Sequence, residues 1–80
     1  MQLWIGNLAP GTTEDEVREL VRKYAKLEIA QIRWEDRDGA HPGVILEFDQ
    51  GTRADLYEAQ RRLSGMHWKD RTLRVHLPLS

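Results

Sequence analysis

Leu3-Trp4-Ile5-Gly6-Asn7-Leu8 is the stretch from which the fold can be read. Its first four residues are β-prone and end at glycine, which makes a short strand. Leu3 and Ile5 then point to one face and Trp4 to the other. Leu8-Ala9-Pro10-Gly11 turns the chain through its Pro-Gly pair. Thr13-Glu14-Asp15-Glu16 has the spacing of a capping box, with the Thr13 hydroxyl accepting from the Glu16 N–H and the Glu16 carboxylate accepting from the Thr13 N–H. Val17, Leu20, Val21, Tyr24 and Leu27 follow at helical spacing and read as the buried stripe. Arg18, Arg22, Lys23 and Lys26 fill the outer face and the last turns, where the helix dipole favours cations.

Further along, the period changes to two. Ala30, Ile32 and Trp34 alternate with Gln31, Arg33 and Glu35, which predicts a half-buried strand. Glu35 to Gly43 is a polar loop containing Asp-Gly and Pro-Gly. Val44 to Phe48 reads as the next strand, with Val44, Leu46 and Phe48 inward. Thr52 and Asp55 form a second capping box, opening a helix to Leu63 on the stripe Leu56, Ala59 and Leu63. Ser64-Gly65 ends it, and Met66 to Arg71 is a short hairpin-like connection. Thr72 to Leu77 is the last strand, with Leu73, Val75 and Leu77 inward and Arg74 and His76 outward.

The order is therefore β-α-β-β-α-β. Two helices and one sheet in 80 residues give an α+β two-layer sandwich with both helices on one face. Right-handed crossovers then leave the ferredoxin-like topology, a four-stranded antiparallel sheet in one domain spanning 1–80. The other sheet face has no cover. Alternation assigns it Gln2, Trp4 and Gly6 from the first strand, Gln31, Arg33 and Glu35 from the second, Gly43, Ile45 and Glu47 from the third, and Arg74 and His76 from the last. Trp4 and Ile45 fall on the central pair of strands. A base stacked on an exposed tryptophan contributes about 1–3 kcal/mol, so Trp4 is the first candidate for a binding residue.

Composition narrows the function classes. The chain is 40% apolar and 31% charged, as a folded globular protein is. It has no cysteine, which removes disulfides and thiolate chemistry. No apolar run approaches the ~20 residues that span a bilayer, and Met1-Gln2-Leu3-Trp4 is not a signal peptide, so no membrane association is expected. Both point to the cytoplasm, or to the nucleus in a eukaryote. The net charge of −1 conceals an asymmetry: residues 1–52 carry six basic and ten acidic groups, residues 53–80 six basic and three acidic. A polyanion would be steered toward the C-terminal part.

Together these residues resemble an RNA recognition motif domain almost end to end. Leu3 to Leu8 matches that family's strand-one hexamer of aliphatic, aromatic, aliphatic, any residue, Asn and Leu. Gly6 to Glu14 with Val17, Leu20, Val21 and Tyr24 is similar to its first loop and helix. Leu63-Ser64-Gly65 and Arg71-Thr72-Leu73-Arg74-Val75 are similar to its second helix end and last strand. The resemblance implies binding of single-stranded RNA, with single-stranded DNA as a further candidate. It places a stacked base on Trp4, with Asn7 closing the hexamer, and the outward-face reading adds apolar support at Ile45 and contacts to phosphate, sugar or base edges at Arg33, His41, Arg74 and His76. The strand-three octamer, His41 to Phe48, departs from the family. Gly43 and Ile45 stand where aromatics are usual, His41 where a Lys or Arg is usual, and Pro42 where Gly is usual. Losing two stacking positions at about 1–3 kcal/mol each implies weak to moderate affinity. The degenerate octamer and the acidic Glu35 and Glu47 favour an alternative, a protein-interaction module that binds a protein partner or self-associates into a homodimer.

Other features read as structural. Trp34 and Trp68 pack on the fold, and Tyr57 is half-buried beside the second helix's stripe. Arg53, Arg61, Arg62, Lys69 and Arg71 form a modest basic cluster that could dock a partner on the helical side. His41, His67 and His76 lack metal-ligand spacing, Asp36-Arg37-Asp38-Gly39 is an acidic turn, and no nucleophile has a base and orienter beside it. No cofactor and no enzymatic activity are expected.

Overall fold

The computed structural model describes residues 1–78. Strand β1 (Gln2–Gly6) leads to helix α1 (Glu14–Ala25), followed by β2 (Gln31–Glu35), β3 (Gly43–Glu47), helix α2 (Arg53–Leu63), and three short strands, β4 (His67–Trp68), β5 (Arg71–Thr72) and β6 (Arg74–His76). The main sheet is antiparallel throughout, in the order β2-β3-β1-β6. Both helices pack on one face. This is the ferredoxin-like α+β sandwich that the order of periodicities implies.

Local chemistry starts both helices as expected. Thr13 Oγ1 accepts from the Glu16 N–H at 3.2 Å and Glu16 Oε1 accepts from the Thr13 N–H at 2.9 Å. Thr52 and Asp55 repeat the box at 3.2 and 2.8 Å. Each box satisfies donors that a helix start leaves unpaired. Helix α1 stops where Lys26 turns left-handed at φ 58°. Past α2, Gly65 takes φ 79°, a conformation open to glycine at little cost.

The core lies between the layers. Leu3, Ile5, Val44, Leu46 and Val75 from the sheet meet Val17, Leu20 and Val21 of α1 and Leu56, Ala59 and Leu63 of α2. Leu8, Ile29, Phe48 and Leu73 close its ends. Trp34 and Trp68 pack against this cluster half-buried. The Trp34 Nε1–H is buried without a partner among the described residues, while the Arg37 guanidinium lies 4.4 Å over its ring.

Four expectations are corrected. Tyr24 is exposed rather than buried. Tyr24 shares the Val17–Leu20–Val21 face by helical spacing, but it stands in the last turn of α1, and its ring lies at the surface with the Lys23 ammonium 5.3 Å above it. Tyr57 is 53% exposed rather than half-buried. Ala30 precedes its strand and is exposed, although its N–H still donates to the Glu47 carbonyl at 2.8 Å. The last strand is not continuous. Arg71 and Thr72 pair with His67 and Trp68 around a Lys69–Asp70 turn, both residues at positive φ, whereas Arg74 to His76 pair with β1. Leu73 is the hand-off: its N–H goes to the Met66 carbonyl and its carbonyl accepts from Gly65, so the run serves two sheets.

Candidate nucleic-acid interface

The strand register fixes the uncovered face residue by residue. Arg33 of β2 is opposite Ile45 of β3, Ile45 opposite Trp4 of β1, and Trp4 opposite His76 of β6, which makes one continuous row across the sheet. On one side of it, Glu35 faces Gly43 and Gly6 faces Arg74. On the other, Gln31 and Gln2 both pair with Glu47. Five of the seven residues expected at the site (Trp4, Arg33, Ile45, Arg74 and His76) therefore share one face.

The Trp4 ring does not stand up from this face; it lies down along it. A Cβ on Gly6 would overlap Cη2 and Cζ2 of the indole. A Cβ on Gly43 would sit 3.3 Å from its Nε1, and equally close to the Ile5 carbonyl oxygen. Two glycines thus form the floor under the ring. At one rim the Nε1–H donates to Glu35 Oε1 at 3.0 Å. From the opposite outer strand, the His76 imidazole lies nearly parallel to the indole, at 19° and 5.2 Å between centroids, within the range of offset stacking. Floor, rim bond and stacked neighbour hold a half-buried ring in one pose.

This arrangement explains the departure at Gly43. The indole occupies the space above that position, so strand three has no room there for an aromatic. The signal was present in the sequence as two glycines at outward positions flanking a tryptophan. What sequence reasoning missed was Glu35, which it took only as an unfavourable charge, and the bond that makes Glu35 part of the site.

Asn7 and His41 lie at the end of the sheet in a bonded network. Asn7 takes φ 61° and its Nδ2–H donates to the Thr72 carbonyl at 2.8 Å, which turns its Oδ1 toward His41 and Arg71. Arg71 donates to that oxygen at 3.3 Å and to the Ala40 carbonyl at 3.1 Å. His41 Nδ1 is 3.0 Å from the same oxygen. Arg71 Nη1, which only donates, lies 3.3 Å from the same Nδ1, so the tautomer sets whether Nδ1 donates to Asn7 or accepts from Arg71, and Nε2 takes no part in either bond. Asn7 thus joins the end of β1 to the β2–β3 loop and the small hairpin. Arg71, which sequence reasoning grouped with the helix-side cations, anchors this end instead.

Much of the remaining positive charge is neutralised locally. Arg61 and Arg62 share Glu58 at 2.8 and 3.0 Å, Lys69 bonds Glu16 at 2.8 Å, and Arg22 bonds Glu28 at 3.0 Å. The carboxyls of Glu16, Glu28 and Glu58 are held below the usual range by these cations. Three members of the expected basic cluster on the helical side, Arg61, Arg62 and Lys69, are thereby engaged in ion pairs. Glu47 is likewise engaged, by Gln2 Nε2 at 2.9 Å and the terminal amine at 4.0 Å. Arg33 and Arg74 are exposed, and neither has an ion-pair partner among the described residues. They flank the indole from the two outer strands.

The RNA recognition motif model matches residues 3–74. No curated protein matches the chain significantly by sequence. Among solved structures, Pes4 RRM3 is similar with a TM-score of 0.83 at 16% identity, over 99% of this chain and 92% of that one. RNA binding protein PG1 is similar with a TM-score of 0.77 at 22% identity, over 100% and 95%. The Rna15 RRM with bound RNA (GU) has a TM-score of 0.77 at 16% identity, over 99% and 83%. At these identities the likeness is one of fold, and it agrees with the family match along nearly the whole length. The chain belongs to the RNA recognition motif family.

Proposed function

We propose that this chain binds single-stranded RNA across the uncovered sheet face, with a base stacked on the Trp4 indole. The observation that carries the reading is the pose of that ring. It lies flat on Gly6 and Gly43, fixed at one edge by Glu35, with two guanidiniums on the flanking strands that have no ion-pair partner among the described residues. A pre-set ring loses little freedom when a base stacks on it, so more of the stacking energy appears as affinity. Ile45, half-buried in the same row, gives a neighbouring base an apolar contact. Arg33 and Arg74 meet phosphates, His76 extends the stack, and His41 offers Nε2 at the end of the sheet, held there by Asn7. RNA-bound relatives of the same fold support the choice of ligand.

The test is a nitrogen-15 NMR titration with short single-stranded RNA at low and moderate salt. Shifts at the Trp4 indole N–H, Arg33, Ile45, Arg74 and His76 that fade as salt rises are expected. Shifts confined to the helices, or none at hundred-micromolar RNA, would turn the reading toward a protein partner.

A further inference from the structure

We infer that the base seated on Trp4 is guanine, selected by the Glu35 carboxylate; the inference rests on the RNA-binding reading above. Glu35 stands opposite Gly43, one strand out from the glycine floor, and its Oε1 is tied to the indole Nε1–H at 3.0 Å. This bond fixes the carboxylate at the rim of the stacking surface. Among the described residues no cation pairs with Glu35 and no donor bonds its Oε2. A base lying over the indole brings one edge against that rim.

A carboxylate accepts and does not donate. Guanine presents two adjacent donors on its Watson–Crick edge, N1–H and N2–H, and these match the two oxygens of one carboxylate. The other bases do not. Cytosine sets its N3 lone pair beside N4–H2, adenine sets N1 beside N6–H2, and uracil flanks N3–H with two carbonyls. Each of these turns at least one acceptor toward Glu35. RNA readers take unstacked bases by such edges. A good bidentate pair discriminates by about 1–3 kcal/mol, which is about a 5- to 150-fold preference.

Glu35→Gln tests the assignment while keeping an oxygen for the indole N–H. With that oxygen turned to Trp4, the amide NH2 faces the base and donates. The preference should then move from guanine toward adenine and cytosine, whose edges carry an acceptor. The measurement is fluorescence anisotropy with end-labelled six-residue RNAs, all uridine except for one G, A, C or U at the third position. The expected result is at least about fivefold tighter binding of the G oligomer by the native chain, with that ratio lost or reversed in Glu35→Gln. Equal binding of the four oligomers, or a G preference that survives Glu35→Gln, overturns the guanine assignment and leaves RNA binding standing. No binding of any oligomer overturns both.

Discussion

The Trp4 indole and Gly43 share one space: the ring nitrogen lies 3.3 Å from where a Gly43 side chain would begin. Reinstating the family's aromatic at this position therefore cannot restore a second stacking surface. In Gly43→Phe the indole should lose its seat and its bond to Glu35, affinity for RNA should not rise, and the melting temperature should fall. Ile45→Phe, at the other altered position, puts the aromatic in the outward row between Trp4 and Arg33. It should strengthen binding by about 1–3 kcal/mol. Titrating both variants with the same RNA compares the two positions directly, and a gain in Gly43→Phe would contradict the seating of the ring.

Salt dependence follows from the unpaired cations. Arg33 and Arg74 are the sheet-face guanidiniums without ion-pair partners among the described residues. Each phosphate neutralised on a single strand contributes about −0.7 to the slope of log K against log salt, so the two should give about −1.4. Arg33→Ala and Arg74→Ala should each flatten the slope by about 0.7. Arg61→Ala, already paired with Glu58, should leave it as it is.

Asn7 carries more of the fold than of the recognition. Its side chain bonds Thr72 and Arg71 at once and lies 3.0 Å from His41 Nδ1. Asn7→Ala should cost about 1–3 kcal/mol of stability, because it leaves polar partners unmet and puts alanine at positive φ. In an 80-residue chain each kcal/mol lowers the melting temperature by about 4–8 °C. A thermal melt within 2 °C of the native value (roughly 0.3–0.5 kcal/mol) would contradict this role.

Acid should weaken the fold in a definite window. Lys69 holds the Glu16 carboxyl below its ordinary value of 4.5, as Arg22 does for Glu28 and Arg61 for Glu58. A carboxyl depressed in the folded state takes up protons more readily unfolded. Its contribution is thus complete above the unfolded value and disappears as pH falls through the folded one. All three groups are near the surface, so the effect is screened and modest. Melting temperature should hold down to about pH 5 and decline below it. Glu16→Gln keeps a capping-box partner for Thr13 and should remove part of that decline.

The fold was legible because its signals are local. Two capping boxes, a change of period at residue 30 and a glycine after Leu63 mark the elements, and the need to cover one sheet face sets the layers. Alternation also placed Trp4, Arg33, Ile45, Arg74 and His76 on one face correctly, since a strand's side chains have only two directions. What alternation cannot give is the direction in which a side chain then lies. Trp4 could stand or recline, and only the paired glycines of two strands distant in sequence decide it. The division at Leu73 was hidden for a similar reason. Arg71 to His76 alternates as one strand would, and the break depends on a separate pairing with His67 and Trp68.

The most direct measurement of the central claim is the RNA affinity of Trp4→Ala at low salt, on protein whose amide spectrum shows the sheet intact. If the reclining indole is the platform, affinity should fall by about 1–3 kcal/mol, roughly 5- to 150-fold. Unchanged affinity on a folded variant would contradict it.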